Sequence, residues 1–279
     1  MTSTTALGVF REQEHSPERE SDDEAILTAV ARELARRHDF DVHTIRPEEV
    51  PRLEGRPDVV FYMCERLPVL ERLERLQERG SLLINPPEGV RATFREAMLQ
   101  RLADLAFFPE TCLMDTDAAS NGLRRVWVKR GDYHAIEKSD VQFAETAEDL
   151  RRVMADFQRR RIARVLVQRH VAGDLIKFYG VRRPGHASRW YHWFYHRGQR
   201  LRRHDFDPGR LQRLCEQAAD RMNLEIFGGD AIVTADGDIF VIDVNAWPSF
   251  ALFRTTAARH IADHIAARVE MQKGSSDAR

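Results

Sequence analysis

The chain has few cysteines, no long apolar run and no excess of charge. Its three cysteines, Cys64, Cys112 and Cys215, lie far apart and form no paired motif, so we expect reduced, mostly buried thiols in a cytoplasmic protein. No apolar stretch is long enough to span a bilayer, and the first residues lack the basic and apolar regions of a signal peptide. The formal net charge of −1 gives no whole-molecule reason to expect nucleic acid or a membrane as a partner.

Apolar residues are plentiful. They make up 43% of the 279 positions, enough for one large domain or two to three packed lobes. In the first part of the chain, the continuous apolar run 58–63 is typical of a parallel strand buried on both faces. Residues 23–37 instead carry apolar side chains at helical spacing. We therefore predict an α/β lobe with a mostly parallel sheet over residues 1–88.

Beyond residue 89 the pattern changes to closely spaced strands with helices between them. The predicted strands are 126–129, 141–144, 165–171, 176–181 and 189–195, followed by a hairpin of 229–234 and 239–244 that turns at Asp236-Gly237. The predicted helices are 90–105, 146–160 with Thr146 as N-cap, 211–222 and 255–271. A flexible polar tail is predicted over residues 271–279.

Oxygen ligands converge in the predicted C-terminal hairpin. Asp243 and Asn245 are two residues apart and share one face of a strand, whereas Ile242 and Val244 are predicted to point into the core. Across the hairpin, Asp230 can reach the same face. Three hard oxygen ligands suit Mg²⁺, which also binds substrate phosphates. A surface hairpin with solvated acids is the alternative, but it explains a carboxylate and an amide inside an apolar strand poorly.

The run Ile242-Asp243-Val244-Asn245-Ala246-Trp247-Pro248 resembles the metal motif of the ATP-grasp superfamily, and the similarity extends over roughly residues 85–270. The resemblance implies an α/β protein with an ATP-grasp fold and ATP and Mg²⁺ as cofactors, with magnesium held by Asp230, Asp243 and Asn245. It implies that an N-terminal α/β lobe (1–88) precedes the grasp region (89–270). That region would divide into a nucleotide-binding lobe at about 110–172 and a metal and substrate lobe at about 173–270.

The same resemblance assigns further residues to the nucleotide: Arg95, Lys129, Gln168, Arg169, Val171, Asp174 and Lys177. Lys129 ends an apolar strand, where it could also be a plain edge residue. Lys177 lies inside an apolar run, where an unpaired ammonium is costly and a phosphate partner would relieve the cost. For Arg95, a solvated helix face is the alternative.

A basic stretch borders the expected acceptor site. Residues 182–204 contain seven arginines, four histidines and no acid, with aromatic residues between them. Basic and aromatic residues also suit single-stranded nucleic acid, but their alternation more simply indicates one packed and one wet strand face. The resemblance implies that Arg200 or Arg203 stabilises the transferred group. It also places His134 in a loop over the phosphates, where an ordinary loop histidine is the alternative.

Two mechanisms fit this resemblance. In a carboxylate–amine ligase, ATP activates a small-molecule carboxylate as an acyl phosphate that an amine attacks, and the acidic loop around Glu14 resembles the substrate loop of D-alanine–D-alanine ligases. The alternative is a small-molecule kinase similar to inositol-phosphate kinases; a second alternative is a non-catalytic nucleotide-sensing or nucleic-acid-binding module. We expect a small, anionic substrate, with neither nucleic acid nor membrane as a partner. Whether the protein forms a homodimer is left open by the sequence.

Overall fold

The N-terminal lobe is built around a parallel sheet. The computed structural model describes residues 3–15, 20–118, 122–133 and 137–277, and the side chains of residues up to 274. The elements of this lobe are β1 (Thr5–Val9), α1 (Glu20–His38), β2 (Asp41–Ile45), β3 (Val59–Tyr62), α2 (Leu67–Glu78) and β4 (Leu82–Ile84). The strand order is β2-β1-β3-β4, and all pairs are parallel. All four residues of β3 are buried, which confirms the predicted strand at 58–63.

Two short helices, α3 (Pro87–Ala92) and α4 (Arg95–Leu102), follow this lobe. The sequence predicted one helix over 90–105, and this is wrong because the chain breaks at Thr93 and Phe94. The hydroxyl of Thr93 donates to the Val90 carbonyl, and Phe94 has an extended backbone with φ −64° and ψ 136°. The break makes Arg95 the first residue of α4.

The second sheet forms a lobe that we call the nucleotide lobe, after the role that the sequence analysis predicts for it. Its elements are β5 (Thr111–Asp115), β6 (Val126–Arg130), β7 (Val141–Ala144), α5 (Ala147–Arg159) and β8 (Arg164–Arg169). The order is β5-β8-β6-β7, with antiparallel pairs. Helix α5 begins where predicted, because the Thr146 side chain accepts a hydrogen bond from the Asp149 N–H. Its apolar face packs on one side of the sheet around Phe157, which leaves the other side for the cleft.

The third sheet forms a lobe that we call the metal lobe, again after its predicted role. Its elements are β9 (Asp174–Val181), β10 (Trp190–Tyr195), α6 (Pro208–Arg221), β11 (Ile226–Val233), β12 (Ile239–Ala246) and α7 (Arg254–Asp277). The order is β10-β9-β11-β12, again antiparallel. Helix α7 continues past the predicted end at 271. Of the helices in the described ranges, none combines the length and the apolar character needed to cross a membrane.

The N-terminal lobe and the metal lobe are joined through a buried polar contact and a shared core. The Asn85 side chain accepts hydrogen bonds from the N–H groups of Glu225 and Ile226, and it donates to the Ile226 carbonyl. Helices α1 and α7 pack together around Val30 and Ile261, both fully buried. The N-terminal lobe therefore supports the sheet of the metal lobe directly.

Candidate active site

One face of the metal lobe carries a row of charged side chains across three strands. Asp230 of β11 pairs in register with Lys177 of β9 on one side and with Asp243 of β12 on the other. The Lys177 ammonium lies 2.7 Å from a carboxylate oxygen of Asp230. The ammonium that the sequence left unpaired thus has a partner within the sheet. Asn245, which pairs with Gly228, lies on the same face two residues beyond Asp243.

A β-bulge shapes this row. Asp230 pairs with Asp243, but Ala231 pairs with Val241, so that one extra residue, Ile242, lies on β12. Val244 is fully buried, as predicted, whereas the prediction that Ile242 points into the core is wrong, because the bulge leaves it half-buried. The bulge brings the Ile242 carbonyl within 3.1 Å of the Lys129 ammonium.

Lys129 reaches from the nucleotide lobe to the metal lobe. It is buried at the end of β6, and its ammonium also donates to the Gln168 side chain at 2.9 Å. Gln168 is fixed in turn, because its amide donates to the Thr111 hydroxyl. Burial lowers the pKa of Lys129 to about 8, although the nearby Asp243 carboxylate opposes that change. The hydrogen-bond partners of this ammonium are neutral oxygens, and among the described residues it forms no ion pair with a carboxylate.

Arg95 is a second buried cation beside the same carboxylate. It is 4% exposed, so the alternative of a solvated helix face is wrong. Its Nε and Nη1 atoms have no hydrogen-bond partner among the described residues. Burial lowers the pKa of its guanidinium, and the nearby carboxylates of Asp243 and Asp140 oppose this. A buried guanidinium with open donors is suited to an anionic ligand, because an unpaired buried charge is costly.

The carboxylates, the amide and the two buried cations of this face together fit a nucleoside triphosphate with magnesium. The described residues contain no cluster of three or more His, Cys, Asp or Glu side chains that could hold a metal by itself. Two carboxylates and an amide, on Asp230, Asp243 and Asn245, form an incomplete oxygen site of the kind that Mg²⁺ fills with waters and phosphate oxygens. The two buried cations beside it provide the positive charge that phosphates require.

Aromatic residues next to Lys129 were missed by the sequence reasoning. Trp127 lies two residues before Lys129, on the same face of β6. Its indole N–H faces the Nδ1 atom of His170 at 3.1 Å, and its ring packs on Phe143 with centroids 5.1 Å apart. The available signal was the two-residue spacing from Lys129. These rings give the nucleotide lobe an apolar surface close to Gln168, which pairs with Trp127 in register.

The segment that connects the nucleotide lobe to the metal lobe follows β8. Arg169, predicted as a nucleotide contact, is exposed, and its main-chain N–H donates to the Glu110 carbonyl. Val171 follows in the segment that connects β8 to β9. Asp174, by contrast, is engaged within the protein, since its carboxylate accepts hydrogen bonds from the N–H groups of Arg202 and His204. Asp174 thus fixes the loop that follows β10.

The predicted acceptor residues lie in that loop or outside the described ranges. Arg200 and Arg203 are exposed, and Arg203 has a left-handed backbone with φ 54°. The structure places both residues in the loop that Asp174 holds and gives neither an acidic partner among the described residues. His134 falls in 134–136 and lies outside the described residues.

An arginine that the sequence reasoning missed connects the N-terminal lobe with the turn after Asn245. The Arg11 guanidinium lies 2.7 Å from a Glu65 carboxylate oxygen and donates to the Trp247 carbonyl at 2.7 Å. Its Nε atom lies 3.2 Å from Asp23. Trp247 is fully buried with a left-handed φ of 37°, a backbone that non-glycine residues adopt only when their surroundings impose it.

The acidic loop after β1 is largely engaged within the protein. Glu12 is buried and accepts hydrogen bonds from the N–H groups of Glu65 and Arg66. Glu14 forms an ion pair with the Arg66 side chain at the surface. The His15 ring packs on Tyr133, in the loop after β6, with centroids 4.7 Å apart. The loop of the N-terminal lobe therefore contacts the loop that follows β6 of the nucleotide lobe.

Several solved structures share this arrangement of lobes. The RimK domain ATP-grasp protein of Sphaerobacter thermophilus has a TM-score of 0.68 at 16% identity and covers 93% of this chain and 99% of that one. D-alanine–D-alanine ligase of Bacillus anthracis has a TM-score of 0.70 at 12% identity, with 98% and 100% covered. The ATP-grasp ligase PsnB, solved with a minimal precursor, gives 0.62 at 17% identity, with 97% and 100% covered.

No family profile and no curated protein matches the chain in sequence. At such low identities the structural likeness speaks for the fold alone, because one fold serves many functions. The likeness covers nearly the whole chain, including the N-terminal lobe and both sheets that face the cleft. The fold predicted from the Asp243–Asn245 motif is confirmed: this chain has the ATP-grasp fold.

Proposed function

We propose that this protein is an ATP- and Mg²⁺-dependent ligase that activates a small-molecule carboxylate as an acyl phosphate for attack by an amine. One observation supports it above all. Two buried cations that form no ion pair among the described residues, Arg95 and Lys129, lie beside the oxygen ligands of the metal lobe. A fold that buries such cations without pairing them with a carboxylate is arranged for an anionic ligand. ATP with magnesium is the ligand that the ATP-grasp fold favours there.

Each residue of the cleft then has a defined part. Asp230, Asp243 and Asn245 would hold the magnesium, which neutralises phosphate charge as the γ-phosphoryl group moves. Lys129 and Arg95 would bind the phosphates between the two sheets. An oxygen of the substrate carboxylate attacks the γ-phosphorus, and the bond to the β-phosphate oxygen breaks to release ADP. The amine nitrogen then attacks the acyl carbon, phosphate leaves and the amine gives up a proton.

Three further basic residues, Lys177 in the row and Arg200 and Arg203 in the loop after β10, have separate roles in this proposal. In the free protein, Lys177 pairs with Asp230. When the Asp230 carboxylate binds magnesium, a phosphate oxygen would become the partner of the Lys177 ammonium. Arg200 and Arg203 carry exposed guanidinium groups in the loop held by Asp174. They would stabilise the anionic carboxylate and the transferred phosphoryl group. The same unpartnered arginines favour the second candidate, a kinase with a polyanionic acceptor.

The first experiment measures nucleotide binding by calorimetry, with and without Mg²⁺. We expect Mg²⁺-dependent binding of ATP that weakens at least about tenfold in Asp243→Asn, because a charged carboxylate that binds the metal becomes a neutral amide. Asp236→Asn is the matched control, since Asp236 is exposed in the turn of the same hairpin. Equal affinities with and without Mg²⁺, or an equal effect of both substitutions, would contradict the proposal.

A second experiment separates the two reactions. The protein is incubated with ATP and pools of small carboxylates, amines and polyols, and ADP, free phosphate and products are followed by mass spectrometry. A ligase releases free phosphate together with ADP, whereas a kinase leaves the phosphate on the acceptor. Asp243→Asn provides the inactive reference.

A further inference from the structure

Strand β10 is the outer strand of the metal-lobe sheet. Its inner side pairs with β9, and within the described ranges no strand pairs with its outer side. The His196 N–H donates to the Leu175 carbonyl at 3.0 Å. Because main-chain hydrogen bonds alternate in direction along an antiparallel strand, the N–H and C=O groups of Tyr191, Trp193 and Tyr195 point away from β9. Such an edge can accept a further strand.

A cavity of about 460 Å³ adjoins this edge. Its walls come from β10 and from the first turns of α6, and they carry no acidic side chain. The lining residues are Tyr191, His192, Trp193, Pro208, Gly209 and Gln212. The cavity can therefore hold those side chains of an added strand that face this side of the sheet.

Arginines flank the strand at both ends. Arg189 directly precedes β10 and Arg197 follows it by two residues, and both are exposed. In the described part of the chain, neither forms an ion pair with a carboxylate. The whole segment 182–204 contains no acid. The edge is thus basic, and the fold does not use the charges of Arg189 and Arg197 in ion pairs.

We propose that the outer edge of β10 binds an extended, acidic segment of another polypeptide as an added strand. Six residues of β10 span about 20 Å, so a segment of about nine residues would reach both Arg189 and Arg197. The partner segment would carry carboxylates at its two ends and small apolar residues between them. This surface lies outside the nucleotide cleft, and its binding does not require ATP.

Two other occupants fit the observations less well. The aromatic faces needed to stack nucleic-acid bases are engaged, because Trp193 packs against Phe206 at 5.2 Å and Trp190 stacks on His260 at 6.0 Å. A second copy of the chain paired edge to edge would bring equal arginine charges together. Main-chain groups with flanking positive charge are instead matched by an acidic strand.

The test uses a fluorescein-labelled peptide of about nine residues, with two glutamates at each end and alternating valine and threonine between them. We expect saturable binding that weakens about tenfold in the double variant Arg189→Glu, Arg197→Glu. The matched control is Arg151→Glu, Arg152→Glu, which makes the same charge change on the exposed face of α5. Absence of saturable binding, or an equal loss in both double variants, would overturn the proposal.

A second measurement leaves the protein unchanged and so cannot fail through misfolding. Two versions of the peptide carry N-methyl groups on alternate residues, one version on the odd and one on the even positions. An added strand pairs through one of its edges only, so we expect one version to lose binding and the other to keep it. Equal binding of both versions would overturn the proposal.

Competition with an oligothymidine and sedimentation of the free protein address the other occupants. Tighter binding of the oligothymidine than of the peptide, lost in the Arg189 and Arg197 variant, would replace the proposal with a nucleic-acid site. Self-association that the same variant abolishes would replace it with a dimer interface. The proposal is supported if the protein is a monomer and binds the peptide more tightly than the oligothymidine.

Discussion

Two buried cations with few internal partners define the cleft at the scale of single residues. Lys129 ends a predicted strand, so its position followed from local sequence. The burial of Arg95 did not, because it depends on the break at Phe94 and on the packing of α4. Arg11 was missed for the same reason: its partner Trp247 is 236 positions away in the chain. Contacts between distant segments leave no local pattern to read.

Lys129 predicts a pH dependence of nucleotide binding. Its ammonium has a pKa of about 8 in the free protein, and nearby phosphates favour the charged form. Binding therefore takes up a proton once the pH exceeds about 8, and the affinity for ATP falls as the pH rises further. Calorimetry in buffers of different ionisation enthalpy measures the proton uptake directly.

The control for this titration is Lys129→Arg, because a guanidinium stays charged throughout the range. We expect its affinity to vary less between pH 7 and 9 than that of the unchanged protein. If both proteins show the same pH dependence, the titrating group is not Lys129.

Arg95 predicts opposite effects on stability and on binding. Replacing the buried, incompletely paired guanidinium by an apolar chain of similar length, in Arg95→Met, should raise the free energy of unfolding by about 1 kcal/mol without nucleotide. The same change should weaken ATP binding at least about tenfold. Urea unfolding and calorimetry measure the two effects, and Arg101→Met, on the exposed side of α4, is the control. A loss of both stability and affinity would point to a structural role instead.

At the scale of elements, the sequence predicted those strands and helices whose pattern is local. The buried strand β3, the N-cap of α5 and the β11–β12 hairpin are confirmed. Strand β5 was missed, because it is an edge strand with a mixed burial pattern. The bulge at Ile242 was missed because it is a property of the pairing between two strands, and a one-residue change of register does not show in either strand alone.

The close approach of β11 and β12 requires a glycine beside Asp230. A Cβ atom on Gly229 would lie 2.1 Å from the Asp243 carbonyl oxygen, so Gly229→Ala must push apart the strands that carry Asp230 and Asp243. We expect a loss of about 2 to 3 kcal/mol in the free energy of unfolding and weaker Mg²⁺-dependent binding. Gly274→Ala is the control, since an added Cβ there meets open space within α7 and should stabilise slightly. Similar urea midpoints for the two variants would show that β11 and β12 accommodate a Cβ atom at position 229 without strain.

At the scale of the whole molecule, the cleft is made by two sheets whose support comes from a third. Lys129 crosses from the nucleotide lobe to Ile242 of the metal lobe, and Arg11 crosses from the N-terminal lobe to Trp247. Both contacts end within three residues of Asp243 or Asn245. The position of the metal strand therefore depends on the packing of all three lobes, which explains why its ligands could be predicted from sequence while its supports could not.

Asn85 tests how strongly the N-terminal lobe holds the metal lobe. Its side chain satisfies three main-chain groups, the N–H groups of Glu225 and Ile226 and the carbonyl of Ile226. Asn85→Ala leaves these groups buried without partners and should cost about 3 kcal/mol or more. Ser81→Ala removes a single hydrogen bond, to the Pro57 carbonyl within the N-terminal lobe, and should cost about 1 kcal/mol.

Hydrogen exchange separates the two losses of stability, because they differ in place as well as in size. In Asn85→Ala, protection should fall in β4 and at the start of β11. In Ser81→Ala, protection should fall in β4 alone. Unchanged protection at the start of β11 in Asn85→Ala would mean that the packing of α1 on α7 holds the two lobes together without this contact.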